Sequence, residues 1–174
     1  MPKNSRPPMA RGGFASTNWS DRIVELVGRG FGTGWSPKAP GTVGTLVGVA
    51  LYWFLADLSL TAYLLATLLL AGIGIWICGR TSRLIGVDDH PGIVFDEIVG
   101  YLVTMIAAPK GWQWVVLGFV LFRIFDIAKP WPVRLADRRV HGGFGIMLDD
   151  VLAGIYALAC LHATHLVVSL QGTT

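Results

Sequence analysis

Two stretches of this chain can do little except form apolar helices. Leu58 to Gly79 runs 22 residues without a formal charge, and Val151 to Gln171 runs 21 more. About 20 such residues cross a hydrocarbon core of ~30 Å as a helix. Val43 to Ala56 is also uncharged, and Ile98 to Phe122 is apolar apart from Pro109-Lys110-Gly111, a turn signal that divides it into two arms. Apolar residues make up 53% of the chain and charged residues only 14%, with a mean hydropathy of +0.57, whereas soluble domains carry roughly 25% charged residues. The reading is an all-α, polytopic membrane helical bundle with about four to five membrane-embedded helices, near residues 43–56, 58–79, 94–108, 112–127 and 147–169. The first and third are short enough to be re-entrant or tilted.

The length of 174 residues predicts one domain. Residues 1–20 are polar and rich in Pro, Gly and Ser, without the apolar middle of a secretory signal, and are expected to form a mobile tail ahead of a membrane-embedded domain over 21–174. Fourteen bases against 11 acids give too small a surplus to imply nucleic acid. Cys78 and Cys160 lie in apolar runs and read as packing residues. If the helices alternate in direction, residues 1–42, 80–97 and 123–150 share one side. That side holds 13 of the 14 Lys and Arg, so it is expected to face the cytoplasm. For Arg22, Arg29 and Arg80, orientation and lipid head groups are reason enough.

Orientation does not account for the acids, ten of whose eleven members fall on the same side. Nine charged residues crowd Phe122 to Asp150, and acids recur at helix borders: Asp96-Glu97, Asp126 and Asp149-Asp150, each preceded by apolar residues. Capping explains one member of a pair at a helix start. It does not explain Asp126 at a helix end, where an ion pair with Arg123 or Lys129 is the structural alternative. The functional reading is a hard-cation site for Mg²⁺ or Mn²⁺ built from Asp96, Glu97, Asp126, Asp149 and Asp150. Lys129, Arg134, Arg138, Arg139 and His141 stand near enough in sequence to contact a phosphate. In Gly30 to Thr45, backbone N–H groups with the Thr42 and Thr45 hydroxyls could form an anion nest at a helix start.

The segments PGTVGT (40–45), FDEIVG (95–100), FRIFDIAKPWPVR (122–134) and DRRVHGGFGIMLDDVLAG (137–154) resemble the signatures of the phosphatidylglycerophosphatase A family, and the resemblance runs from about Gly30 to His165. It implies an all-helical enzyme of the bacterial inner membrane with its active site on the cytoplasmic face. Such an enzyme is Mg²⁺-dependent and hydrolyses phosphatidylglycerophosphate to phosphatidylglycerol. Other phosphatase chemistries are missing: Leu84 stands where a Cys-x₅-Arg motif starting at Cys78 would need Arg, and there is no Asp-x-Asp pair. Water attack assisted by a metal is the expected mechanism, with Asp126, Asp150 and His141 as candidate catalytic groups and an aspartyl-phosphate left open. The rival classes are a cation transporter, whose carboxylates belong near the bilayer midplane, and a non-catalytic binder of anionic lipid, which has no need of the acids.

Overall fold

A computed structural model describes Phe14, Ala15 and residues 18–171, apart from the side chains of Asp137 and Arg138. Fifteen of the 20 residues of the expected N-terminal tail lie outside the described residues; its last two positions begin the first helix. The described residues form seven α-helices and no strand. They are α1 (Trp19–Gly28), α2 (Pro40–Leu55), α3 (Leu60–Ile85), α4 (Phe95–Thr104), α5 (Trp112–Ala128), α6 (Val133–Arg139) and α7 (Gly142–Gln171), with a 3₁₀ segment at Gly30–Trp35. α3 and α7 are long and apolar enough to cross a membrane, and α2 is a shorter apolar helix.

The helix ends follow local chemistry. Asn18 caps α1 and Ser59 caps α3 through their side-chain oxygens. Pro40 opens α2, and Gly86, at φ 79°, closes α3 in the left-handed conformation that glycine tolerates. Several boundaries differ from the sequence reading. α3 continues past Gly79 to Ile85, and α7 begins at Gly142 rather than near 147. Asp149 and Asp150 therefore lie beyond the first turn of α7, and a capping role does not explain them. α1 and α6 are additional helices. The charges of α1 are paired both across to α3 and locally. Arg80 of α3 pairs with Asp21 at 2.9 Å, and Arg29 pairs with Glu25 at 2.9 Å, both side chains buried. Arg29 and Arg80 thus also serve as structural ion-pair partners.

The organising element is α4. Nine of its ten residues, all but Glu97, are buried, because α2, α3, α5 and α7 all pack on it. A helix enclosed on all sides needs close neighbours, and small residues let backbones approach. Gly100 of α4 and Gly154 of α7 meet face to face: a Cβ on Gly154 would come 2.5 Å from the Gly100 carbonyl oxygen. The end of α4 is held by polar bonds in an otherwise apolar cluster. Tyr63 Oη donates to Leu102 O at 2.8 Å and Tyr101 Oη to Val115 O at 3.1 Å. At ten residues, about 15 Å, α4 is a short buried helix, not the longer 94–108 element that the hydropathy suggests.

The outer faces are apolar instead of charged. Leu65, Leu68, Leu69, Ile73 and Trp76 are exposed on α3, and Val116, Val120, Ile124 and Ile127 on α5. Continuous apolar surface of this kind marks contact with a membrane or another protein.

Candidate active site

The start of α4, the end of α5 and the first half of α7 meet at one end of the bundle, and the start of α2 joins them. Together with the loop from Asp88 to Val94 they enclose a cleft of about 360 Å³. Its wall carries six carboxylates, Asp89, Asp96, Glu97, Asp126, Asp149 and Asp150, and two bases, Arg123 and Lys129; the start of α2 at Ala39 to Gly41, with Pro91 and Ile93, completes it. All five acids expected from sequence are brought together. Asp89 and Arg123 were missed as site residues. The readable signal for Asp89 was the polar Asp88-Asp89-His90-Pro91-Gly92 loop just ahead of Asp96. That loop is braced: the Gly92 N–H donates to His90 Nδ1 at 2.9 Å, and the Val94 N–H donates to Gly28 O at 3.0 Å. Burial and the neighbouring Arg29 hold His90 below its ordinary pKa, in keeping with a neutral ring that accepts a bond.

The bases engage the acids directly. Arg123 Nη1 lies 2.6 Å from Asp126 Oδ2 and 3.4 Å from Glu97 Oε1. Lys129 Nζ lies 2.6 Å from Asp149 Oδ2. The ion pair foreseen as the structural alternative for Asp126 is therefore present, with Arg123. Three buried oxygens still lack any hydrogen-bond partner: Asp96 Oδ1, Glu97 Oε2 and Asp150 Oδ2. Buried carboxylates in that state are costly.

The start of α2 contributes space. A Cβ on Gly41 would collide with Glu97 Oε1, and one on Gly44 would sit 3.1 Å from Glu97 Oε2. The glycines of PGTVGT admit the Glu97 side chain to the cleft. Thr45 is fully buried and its hydroxyl donates to Gly41 O at 2.8 Å. That bond turns Thr45 back onto its own helix, away from the expected anion nest. Thr42, Arg134 and Arg139 do not line the cleft; the Arg138 side chain lies outside the described residues. His141 is exposed in an adjoining compartment of about 200 Å³ that shares Asp89 and Asp149 with the cleft.

The profile of the phosphatidylglycerophosphatase A family matches residues 26–165, a span that includes every residue of the cleft wall. The chain belongs to the phosphatidylglycerophosphatase A family. Phosphatidylglycerophosphatase A of Escherichia coli K12 is 45% identical over 138 residues, covering 79% of this chain and 80% of that protein. The Haemophilus influenzae protein of the same name is 44% identical, covering 80% and 87%. A Bacteroides thetaiotaomicron protein, provisionally named a phosphatidylinositol-3-phosphatase, is 41% identical, covering 82% and 94%. No solved structure matches the chain.

Within this phosphatidylglycerophosphatase A fold, the donor set fits a hard divalent cation. The orphaned atoms are carboxylate oxygens on two elements, with no thiol or imidazole in the wall. Among the described residues no three acidic, histidine or cysteine side chains stand close enough to form a ready-made cluster.

Proposed function

We propose that this chain removes the terminal phosphate of phosphatidylglycerophosphate, giving phosphatidylglycerol and inorganic phosphate, with Mg²⁺ held in the acidic cleft. By family the chain is a phosphatase. The observation that carries the site assignment is the set of three unpartnered buried carboxylate oxygens in a wall that also contains Arg123 and Lys129. Such a wall suits a cation and a phosphate together. Asp96, Glu97 and Asp150 would hold the metal, with Asp126 and Asp149 beside them. When bound, Mg²⁺ supplies charge neutralisation at the phosphoryl oxygens and lowers the pKa of water.

The protein's own groups do the rest. Lys129 binds and orients the phosphoryl group at the wall of the cleft. Attack of water on phosphorus breaks the bond to the glycerol oxygen. Asp126, which keeps a path to solvent with 13% of its side chain exposed, takes the proton of that water. The leaving glycerol oxygen gains a proton at the side of the adjoining compartment, where His141 stands. A volume of about 360 Å³ suits a phosphorylated polyol head group, so the acyl chains stay outside.

Lipid around the bundle is the natural home of those chains. Embedding of four to five helices is supported by the uncharged lengths of α3 and α7 and by the exposed apolar faces of α3 and α5. Placement in the bacterial inner membrane, with the cleft toward the cytoplasm, is supported by the bacterial relatives and by the bases gathered at the cleft end. A cation transporter is disfavoured because the carboxylates belong to one end of the bundle and not to its middle. The test is phosphate release by the purified protein from phosphatidylglycerophosphate, with phosphatidylinositol 3-phosphate as the comparison lipid. Release from the first that needs Mg²⁺ is expected; no release with metal present would refute the assignment.

A further inference from the structure

Arg123 is placed unlike an ordinary structural arginine. It sits in the last turns of α5, its side chain 15% exposed, in the wall of the cleft. A single nitrogen, Nη1, serves both Asp126 and Glu97, while its buried Nε has no acceptor. A guanidinium offers five N–H donors in a planar fork suited to two oxygens of one phosphate. Here that fork is under-used, beside an equally unpartnered Glu97 Oε2. One cation is thus shared between two carboxylates, and neither side of the interaction is complete.

We infer that Arg123 is an exchangeable counter-ion, which neutralises Glu97 and Asp126 while the divalent cation is absent and transfers its guanidinium to the substrate phosphate when the cation takes over Glu97. The inference rests on the metal-dependent phosphatase reading and adds a binding role and a coupling to it. The two ligands then help each other. A cation at Glu97 frees the guanidinium for an anion, and an anion on the guanidinium exposes Glu97 to a cation and leaves Asp126 unpaired for the attacking water. Linkage requires the two effects to be equal in size. Lys129, with Asp149 as its partner, is a point charge and cannot offer the same two-pronged contact.

The experiment is calorimetric titration of the full chain in detergent micelles with Mg²⁺, with inorganic phosphate, and with each in the presence of the other. For the unaltered protein, phosphate is expected to tighten Mg²⁺ binding by about 5- to 150-fold, and Mg²⁺ to tighten phosphate binding by the same factor. Arg123→Gln is expected to bind Mg²⁺ alone at least as tightly, because a competitor is gone, while the coupling falls toward one. Arg123→Lys, which keeps the charge and is the fallback if the first variant does not fold, is expected to retain only part of the coupling. Full coupling in either variant, or loss of Mg²⁺ binding by a folded Arg123→Gln protein, would overturn the exchange. An unaltered protein that neither binds Mg²⁺ nor needs it for turnover would instead remove the metal reading, and the exchange with it.

Discussion

Gly41→Ala adds one methyl group to the start of α2 and separates activity from stability. The added carbon would collide with Glu97 Oε1, lie 2.8 Å from Glu97 Cδ and lie 3.1 Å from Arg123 Nη1. Carbon atoms rest at about 3.5–4.0 Å, so the carboxylate must retreat by on the order of 1 Å. The obstructing atoms are the ends of flexible side chains, so the helix itself can stay. An alanine within a helix is favoured over glycine by up to about 1 kcal/mol, which offsets a weaker Glu97–Arg123 contact. A displacement of about 1 Å at a reacting centre costs ~10²-fold in rate, about 2.7 kcal/mol of barrier. The assay is initial-rate phosphate release in mixed micelles at saturating Mg²⁺, alongside a thermal melt of the same preparation. Turnover is expected to fall about 100-fold with a melting temperature within a few degrees of the parent. A variant within a few-fold of parental turnover would show that the Glu97 position does not matter, and the metal assignment would lose that residue.

Asp150→Asn and Asp126→Asn should each lower turnover by at least about 10²-fold, measured in the same assay after a fold check by circular dichroism. Cysteines at Gly92 and Val140, introduced after replacing Cys78 and Cys160, should both label from the cytoplasmic side of cells or oriented vesicles; labelling from opposite sides would overturn the orientation.

What the sequence made legible followed solvent preference. The uncharged runs became α3 and α7, and the Pro109-Lys110-Gly111 break ends just before α5, with Gly111 at φ 129°. The five acids converge because helix ends at one side of a bundle meet, which alternating helix direction already required. Other features needed three dimensions. α1 hid behind charges whose partners, such as Arg80, are 59 residues away. A Cβ on Gly143 would strike the α3 backbone at Ile75 O, so that glycine serves helix contact. PGTVGT suggested donors for a phosphate, whereas Gly41 and Gly44 make room for a carboxylate. Arg123 was legible as a partner for Asp126 but not as the cation it shares with Glu97, since that contact joins α5 to α4.

The central claim is that a divalent cation and the substrate phosphate meet among Asp96, Glu97 and Asp150. Anomalous diffraction from crystals grown with Mn²⁺ in place of Mg²⁺ tests it most directly. The account predicts a peak in the cleft within direct coordination distance of oxygens from α4 and α7, about 2.0–2.1 Å for Mg²⁺ itself. A peak confined to the His141 compartment, or a cleft with no peak at a Mn²⁺ concentration that sustains turnover, would contradict it.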